Sequence, residues 1–274
     1  MQWFAYFIWG ALSLCIVAAL FSYFYARYFG NRSQKIETDE NNADNEQEFA
    51  FDDRRWQVLL NSSPFNESEV PEMSQERIKW AGELFGVAPQ WFAGGDDPMF
   101  DCLTFHNNVG ASVEFIRQRM DENKRLRLYA IKPLGVELSE TAYDACVVLC
   151  FASPVSYGEK AAWRFWPVNV YWEWGYEPEQ MQCRQIIYTA MQCGCEVVGL
   201  ELDLNELYFL LESKLIPEPL YAFSPQPDNT TLAPQWNALS LANAGESVMG
   251  QCESTLSADD LNQLIQETGL ATGK

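Results

Sequence analysis

The longest apolar run lies at the start of the chain. Residues 3–26 carry no charged side chain, and a run of this length can cross a bilayer as a helix. Aromatic residues gather at both ends of the run, where the two membrane interfaces would be. We therefore expect a transmembrane anchor in residues 1–29. The acidic, polar residues 30–50 lack the apolar surface needed to fold, so we expect a tether there.

Basic residues set the expected orientation of this anchor. Arg27, Arg32 and Lys35 directly follow the run, and no basic residue precedes it. Positive charges are retained on the cytoplasmic side of a membrane. We therefore expect a single-pass membrane protein whose soluble domain lies in the cytoplasm.

Beyond the tether, apolar positions recur with helical and strand periods, which predicts an α+β domain at 51–225. An extended tail with a short helix is expected at 226–274. The predicted helices cover 74–86, 178–194, 203–211 and 256–269. The predicted strands cover 111–120, 125–134, 144–153, 195–202 and 215–225. The first two strands flank a polar turn at 121–124, so we expect them to form a hairpin.

Helix ends are marked by residues suited to capping. Ser74, Ser257 and the pair Asp203 and Glu206 stand where helix N-terminal caps are expected. Gly194 and Gly269 stand where a helix would end in the left-handed conformation.

The charge balance excludes some partners. A formal net charge of -20 disfavours nucleic acid and anionic lipid, because both require Lys and Arg. His106 is the only histidine, so a zinc site built on several histidines is excluded.

Three cysteines, Cys183, Cys193 and Cys195, lie close together in the sequence and permit three interpretations: a metal site, a redox pair or core packing. Their spacing differs from the paired cysteines of structural zinc sites, and no basic residue flanks the Cys193 and Cys195 pair to lower a thiol pKa. Core packing is the favoured interpretation, and no metal site is predicted.

Two polar segments could contact a ligand. Paired arginines can hold a phosphate through fork-like hydrogen bonds, and Arg54 and Arg55 open the folded region. With the neighbouring Asp52 and Asp53 they could equally form a solvated charge cluster. The second segment is a turn of small and polar residues, where a backbone can approach a ligand closely or simply turn. It contains Asn107, Asn108, Gly110 and Ala111.

The aromatic stretch 163–177 is a third candidate. Its tryptophans could stack on a planar ligand, but alternating aromatic residues more often form a core or a subunit interface.

Several segments together resemble the nitroreductase-like flavoprotein family, especially its azoline-oxidising dehydrogenase branch. The segments are DDRRWQVLL, HNNVGASVEFI, DACVVLCFASPVSYG, QCRQIIYTAMQCGCEVVG and PLYAFSP, spread over 54–224. The membrane run followed by an acidic tether is similar to the layout of iodotyrosine deiodinase, an anchored member of that fold. The resemblance implies a mixed sheet flanked by helices, preceded here by one N-terminal transmembrane helix.

The resemblance also implies a cofactor, FMN, and a homodimer paired through 178–193. Arg54 and Arg55 would hold the flavin phosphate, and the turn from Asn107 to Ala111 would approach the isoalloxazine. Gly194 and Gly199 would pass near the ring. The chain departs from the family pattern after Arg55, where Trp56 and Val58 replace an expected serine and arginine, and no basic residue follows PLYAFSP.

Two hypotheses about function follow. The chain is either a membrane-anchored FMN-dependent oxidoreductase, or a cofactor-free relative that serves as a tethered binding or assembly protein. A fold can persist after its site is lost, so the resemblance does not choose between them.

Overall fold

A computed structural model describes most of the chain beyond residue 50. The described residues are 51–123, 125–139, 145–214, 216, 220, 235–242 and 255–270. They belong to one compact unit, Phe49–Lys274. The predicted anchor and tether, and most of the predicted strand at 215–225, lie outside these residues. Within them, no helix combines the length and apolar character that a membrane crossing requires.

Helices come first in the described chain, four consecutive strands follow, and helices and two further strands complete it. The helices are α1 (Asp53–Asn61), α2 (Ser74–Phe85), α3 (Val109–Asn123), α4 (Glu177–Gln192), α5 (Leu204–Leu211), α6 (Leu239–Ala242) and α7 (Ala258–Glu267). Short 3-10 helices cover Glu67–Glu69 and Pro89–Ala93. The strands are β1 (Arg127–Pro133), β2 (Cys146–Tyr157), β3 (Lys160–Pro167), β4 (Trp172–Glu173), β5 (Glu196–Leu202) and β6 (Gln235–Trp236).

The strands form one mixed sheet in the order β3-β2-β1-β5-β6, with β4 paired to the start of β2. β1 pairs antiparallel with β2 and parallel with β5. At the edges of the sheet, β3 pairs antiparallel with β2, and β6 pairs antiparallel with β5. The α+β class and the mixed sheet flanked by helices are confirmed.

Helices cover both faces of this sheet, because its central strands are apolar on both sides. On the face that we call the first face, Tyr129 and Ile131 of β1 pack with α1, α2 and α5. On the second face, Leu128 and Ala130 pack with α3, α4, α6 and α7. The sheet therefore separates two hydrophobic layers.

Local capping accounts for most of the helix ends. Asp203 accepts hydrogen bonds from two backbone N–H groups of α5 and forms the expected capping box with Glu206. Ser257 caps α7, and Gly194 (φ 80°) and Gly269 (φ 70°) take the predicted left-handed conformation. At α2 the cap position is Met73, and Ser74 is the first helical residue.

The predicted strand at 111–120 is wrong. This segment lies inside α3, and its buried residues Val109, Val113 and Ile116 recur at helical spacing against the second face. The predicted hairpin is therefore absent. Instead β1 pairs with β2 and β5, which come later in the chain.

The predicted aromatic segment and the C-terminal region are both part of the core. Trp172 and Trp174 are buried on the second face, as are Trp166 and Val170. Beyond residue 225, the described residues include Ala238, Leu241, Leu261 and Ile265, which join the same layer. The described parts of the predicted tail thus pack on the second face.

Candidate functional site

Arg55 is engaged in structural contacts. Its guanidinium donates hydrogen bonds to the carbonyl oxygens of Trp91 and Gly95. The same group lies over the Trp91 ring, with Cζ 5.2 Å from the ring centroid. Arg55 therefore fixes the 3-10 helix Pro89–Ala93 against α1, and its donors point at backbone rather than at an open phosphate position.

Arg54 is exposed beside two carboxylates. It lines an open depression together with Asp52, Asp53, Phe51 and Ala93. Asp52 caps α1 by accepting a hydrogen bond from the backbone N–H of Arg54 at 2.9 Å. A flavin phosphate here would meet two negative charges for one arginine, an unfavourable balance.

The turn at 107–111 starts a helix. The Asn108 side chain accepts a hydrogen bond from the backbone N–H of Ala111 at 3.0 Å, as a helix cap does. Asn107 has a left-handed backbone (φ 58°), and its N–H donates to Oε1 of buried Gln182 at 2.9 Å. Gly110 is the second residue of α3, and a Cβ added there would meet nothing closer than 3.6 Å. The turn thus joins α3 to α4.

Gly199 is required by a close strand contact. A Cβ added there would lie 2.2 Å from the carbonyl oxygen of Trp236, far inside van der Waals contact. Because Gly199 has no side chain, the backbone of β6 can pack directly against it. The Trp236 indole N–H donates to the Ala130 and Leu200 carbonyls at 3.2 and 3.0 Å. Gly194 follows the last turn of α4.

The sheet divides the predicted flavin residues into separate groups. Helix α1, which carries Arg54 and Arg55, packs on the first face through Trp56. The turn at 107–111 leads into α3 on the second face, and Gly199 opens toward Trp236 on that face. The structure does not gather the two arginines and the turn around one cavity.

The three cysteines of the α4 region are core residues. Cys183, Cys193 and Cys195 are buried free thiols within the second layer. Burial raises the pKa of the Cys195 thiol to about 12, and it raises the pKa of the other two thiols as well. The thiols are therefore protonated and unreactive at neutral pH, which confirms the core interpretation. In the part of the chain that the structure describes, no group of three or more His, Cys, Asp or Glu residues is arranged to hold a metal ion.

Helix α4 is largely covered within one chain. Nine of its sixteen residues are buried. The partly exposed positions are Pro178 and Glu179 in the first turn and Arg184, Tyr188, Met191 and Gln192 further along, and Tyr188 donates to Asn262 at 3.3 Å. A homodimer seam at 178–193 would have only these positions to use, and the dimer stays a prediction.

A cavity of about 160 Å³ opens where β1 and β5 begin. Gly194 contributes to its wall, but the other lining residues were not among the predicted site residues. The charged ones are Arg125, Arg127 and Glu196, and the apolar ones include Pro154 and Trp163.

Arg127 is the fixed centre of this cavity, and its side chain is only 6% exposed. Its Nε and Nη2 donate to Oε2 of Glu196 at 2.9 and 2.7 Å, and its Nη1 donates to the Tyr129 hydroxyl at 3.0 Å. Its Cζ lies 4.5 Å from the centroid of the Trp163 ring. Burial raises the pKa of Tyr129 to about 12, so this hydroxyl stays neutral beside the guanidinium.

One local signal could have identified the arginines. In Arg125-Leu126-Arg127-Leu128 the basic residues alternate with leucines, which puts both on one side of an extended segment. Glu196 could not be found this way, because it meets Arg127 only through the parallel pairing of β1 with β5.

No family model matches the chain, and neither a curated protein nor a solved structure matches it. The chemistry of the site must therefore be inferred from the residues themselves.

Proposed function

We propose that the chain is a membrane-tethered binding or assembly protein, a nitroreductase-like relative that does not use flavin. The proposal takes the anchor and the tether from residues 3–26 and 30–50, as the sequence predicts them. The folded unit would then act at a membrane surface without redox chemistry of its own.

The observation that carries this proposal is the structural use of the expected flavin residues. Arg55 holds two backbone carbonyls, Asn108 caps α3, and Gly199 admits Trp236. These contacts aim the Arg55 donors and the Asn108 side chain at the protein's own backbone, so both residues are positioned for the fold rather than for FMN. The separation of these residues by the sheet supports the same conclusion.

An exposed apolar surface supports the assembly role. Leu134, Leu204 and Tyr208 are 54, 45 and 53% exposed, and we call them the α5 surface. Leu134 extends the pairing of β1 with β5 by donating its N–H to the Leu202 carbonyl at 2.8 Å, which brings it to the start of α5. Contiguous exposed apolar side chains are typical of interaction sites.

The negative charge around the α5 surface indicates which kind of partner could bind there. Asp203 is exposed and Glu206 partly exposed beside it, within a chain of net charge -20. A second copy of the chain would bring like charges together, which is unfavourable. We therefore propose a protein partner whose apolar residues are surrounded by Lys and Arg.

Flavin retention tests the central claim. The full chain, purified in detergent, is incubated with excess FMN, separated by ultrafiltration and examined for isoalloxazine absorbance. We expect the flavin to pass into the filtrate for the native chain and for an Arg54→Gln, Arg55→Gln double variant alike. Flavin retained by the native chain and lost from the variant would overturn the proposal and establish FMN binding at the two arginines. Flavin retained by both would also overturn the proposal and move the flavin site elsewhere.

A further inference from the structure

The cavity at the start of β1 and β5 has the composition of a small-anion site. Its lining includes Arg125 and Arg127 against a single carboxylate, Glu196. The local balance is thus one positive charge in a chain whose net charge is -20. The cavity has an excess of positive charge even with Glu196 in place, so it attracts an anion and repels a cation.

Arg127 is preorganised to bind a carboxylate. Its guanidinium is buried, stacked on Trp163 and oriented by the Tyr129 hydroxyl, so little rotamer freedom remains to be lost on binding. It already accommodates a carboxylate, that of Glu196. Both donors converge on one oxygen of that carboxylate, and the same edge of the guanidinium could receive a ligand carboxylate in its place.

Glu196 is held more loosely than its partner. Its side chain is 55% exposed, although that of Arg127 is almost fully buried. The Glu196 carboxylate can therefore turn into solvent and stay hydrated, provided that a ligand carboxylate takes its place beside the buried guanidinium. The position that it leaves would be open to the carboxylate of a ligand.

Arg125 supplies a second donor at the mouth of the cavity. It is exposed, and among the described residues no carboxylate forms an ion pair with it. Its guanidinium can therefore approach an incoming anion without breaking an existing pair. Two arginines, one fixed and one adjustable, are then available to the same ligand.

The size and walls of the cavity limit the rest of the ligand. Its volume of about 160 Å³ is well below that of pockets for drug-sized molecules. Trp163 and Pro154 provide apolar surface beside the arginines. The body of the ligand must then be compact and apolar.

We propose that this cavity binds a small monocarboxylate with a flat apolar body, whose carboxylate bridges Arg125 and Arg127 while Glu196 turns toward solvent. The site goes beyond the proposed function, because it needs only the pairing of β1 with β5 and neither the α5 surface nor the absence of flavin. Its failure would leave the FMN experiment unaffected.

Calorimetric titration of the full chain in detergent tests the site. Benzoate is the probe, benzamide is its neutral counterpart, and inorganic phosphate is the competing anion. We expect benzoate to bind, with an affinity that decreases as salt is added, and the other two to bind at least about tenfold more weakly. No benzoate binding, or equal binding of benzamide or phosphate, would overturn the proposal.

Three variants locate the binding. Arg125→Gln changes an exposed residue and should weaken benzoate binding by at least about tenfold. Lys79→Gln removes one positive charge from the exposed side of α2, outside the cavity lining, and should leave binding unchanged. Glu196→Gln removes the internal carboxylate and should tighten binding. An unchanged affinity in Arg125→Gln, or no gain in Glu196→Gln, would refute the bridging geometry.

Discussion

Replacing Gly199 with alanine tests whether this glycine serves the fold or a cofactor. The new Cβ would lie 2.2 Å from the Trp236 carbonyl oxygen, whereas real Cβ contacts are almost never closer than 3.0 Å. β6 would therefore have to retreat by about 0.8 Å, the difference between these distances. That movement strains its pairing with β5 and the two hydrogen bonds of the Trp236 indole.

The expected cost follows from this overpacking. Extra atoms forced into a packed interior usually destabilise by about 1–3 kcal/mol. In a unit of this size each kcal/mol lowers Tm by about 2–4 °C, so the variant should melt about 2–12 °C below the native chain. Thermal unfolding followed by circular dichroism measures this shift in the full chain, and hydrogen exchange should show faster exchange of the β6 amides.

Gly82→Ala is the matched control. A Cβ at Gly82 would lie 3.5 Å from the nearest atom, the Val87 carbonyl oxygen, and the residue is within α2. Alanine is favoured over glycine in a helix by about 1 kcal/mol, so this variant should be at least as stable as the native chain. An unchanged Tm in Gly199→Ala would refute the steric argument. It would leave open the approach of a ligand ring that the family resemblance implies.

Two further predictions concern an ion pair and the α5 surface. The Lys132 ammonium lies 2.8 Å from Glu201, and its hydrogen bond lowers the pKa of this carboxyl from its usual value of 4.5. The pair therefore stabilises the fold fully above pH 4.5. This stabilisation is lost as the pH falls through the lowered pKa. Glu201→Gln should therefore lower the free energy of unfolding, measured in urea, by about 3 kcal/mol at pH 7 and by progressively less towards pH 3. A loss of stability that does not depend on pH would contradict this. Tyr208→Ala should weaken binding of an amphipathic peptide with a lysine-rich rim by about tenfold, measured by fluorescence anisotropy. Met73→Ala, which alters an exposed apolar residue at the cap of α2, should not. Equal losses in both variants would remove the α5 surface from the proposal.

The sequence alone determined the elements whose signals are local. α5 was predicted with its capping box, and α4 with its terminal Gly194, because caps and helical spacing depend on residues a few positions apart. β2 was predicted from a short run buried on both faces. α3 was mistaken for a strand, since Val113 and Phe115 alternate with polar neighbours as in a strand. The burial of Val109, Val113 and Ile116 instead follows a helical period.

Only the tertiary structure decided which residues meet. Nothing near Gly199 in the sequence indicates that Trp236 packs against it. Likewise, nothing near Arg127 indicates that Glu196 lies beside it. Both contacts depend on strand pairing between distant segments, which is set by the packing of two hydrophobic layers rather than by local preference. The helices are therefore specified by residues that are close in the sequence. The cavity, and the positions that the predicted flavin residues occupy, depend on how distant strands pair in the sheet.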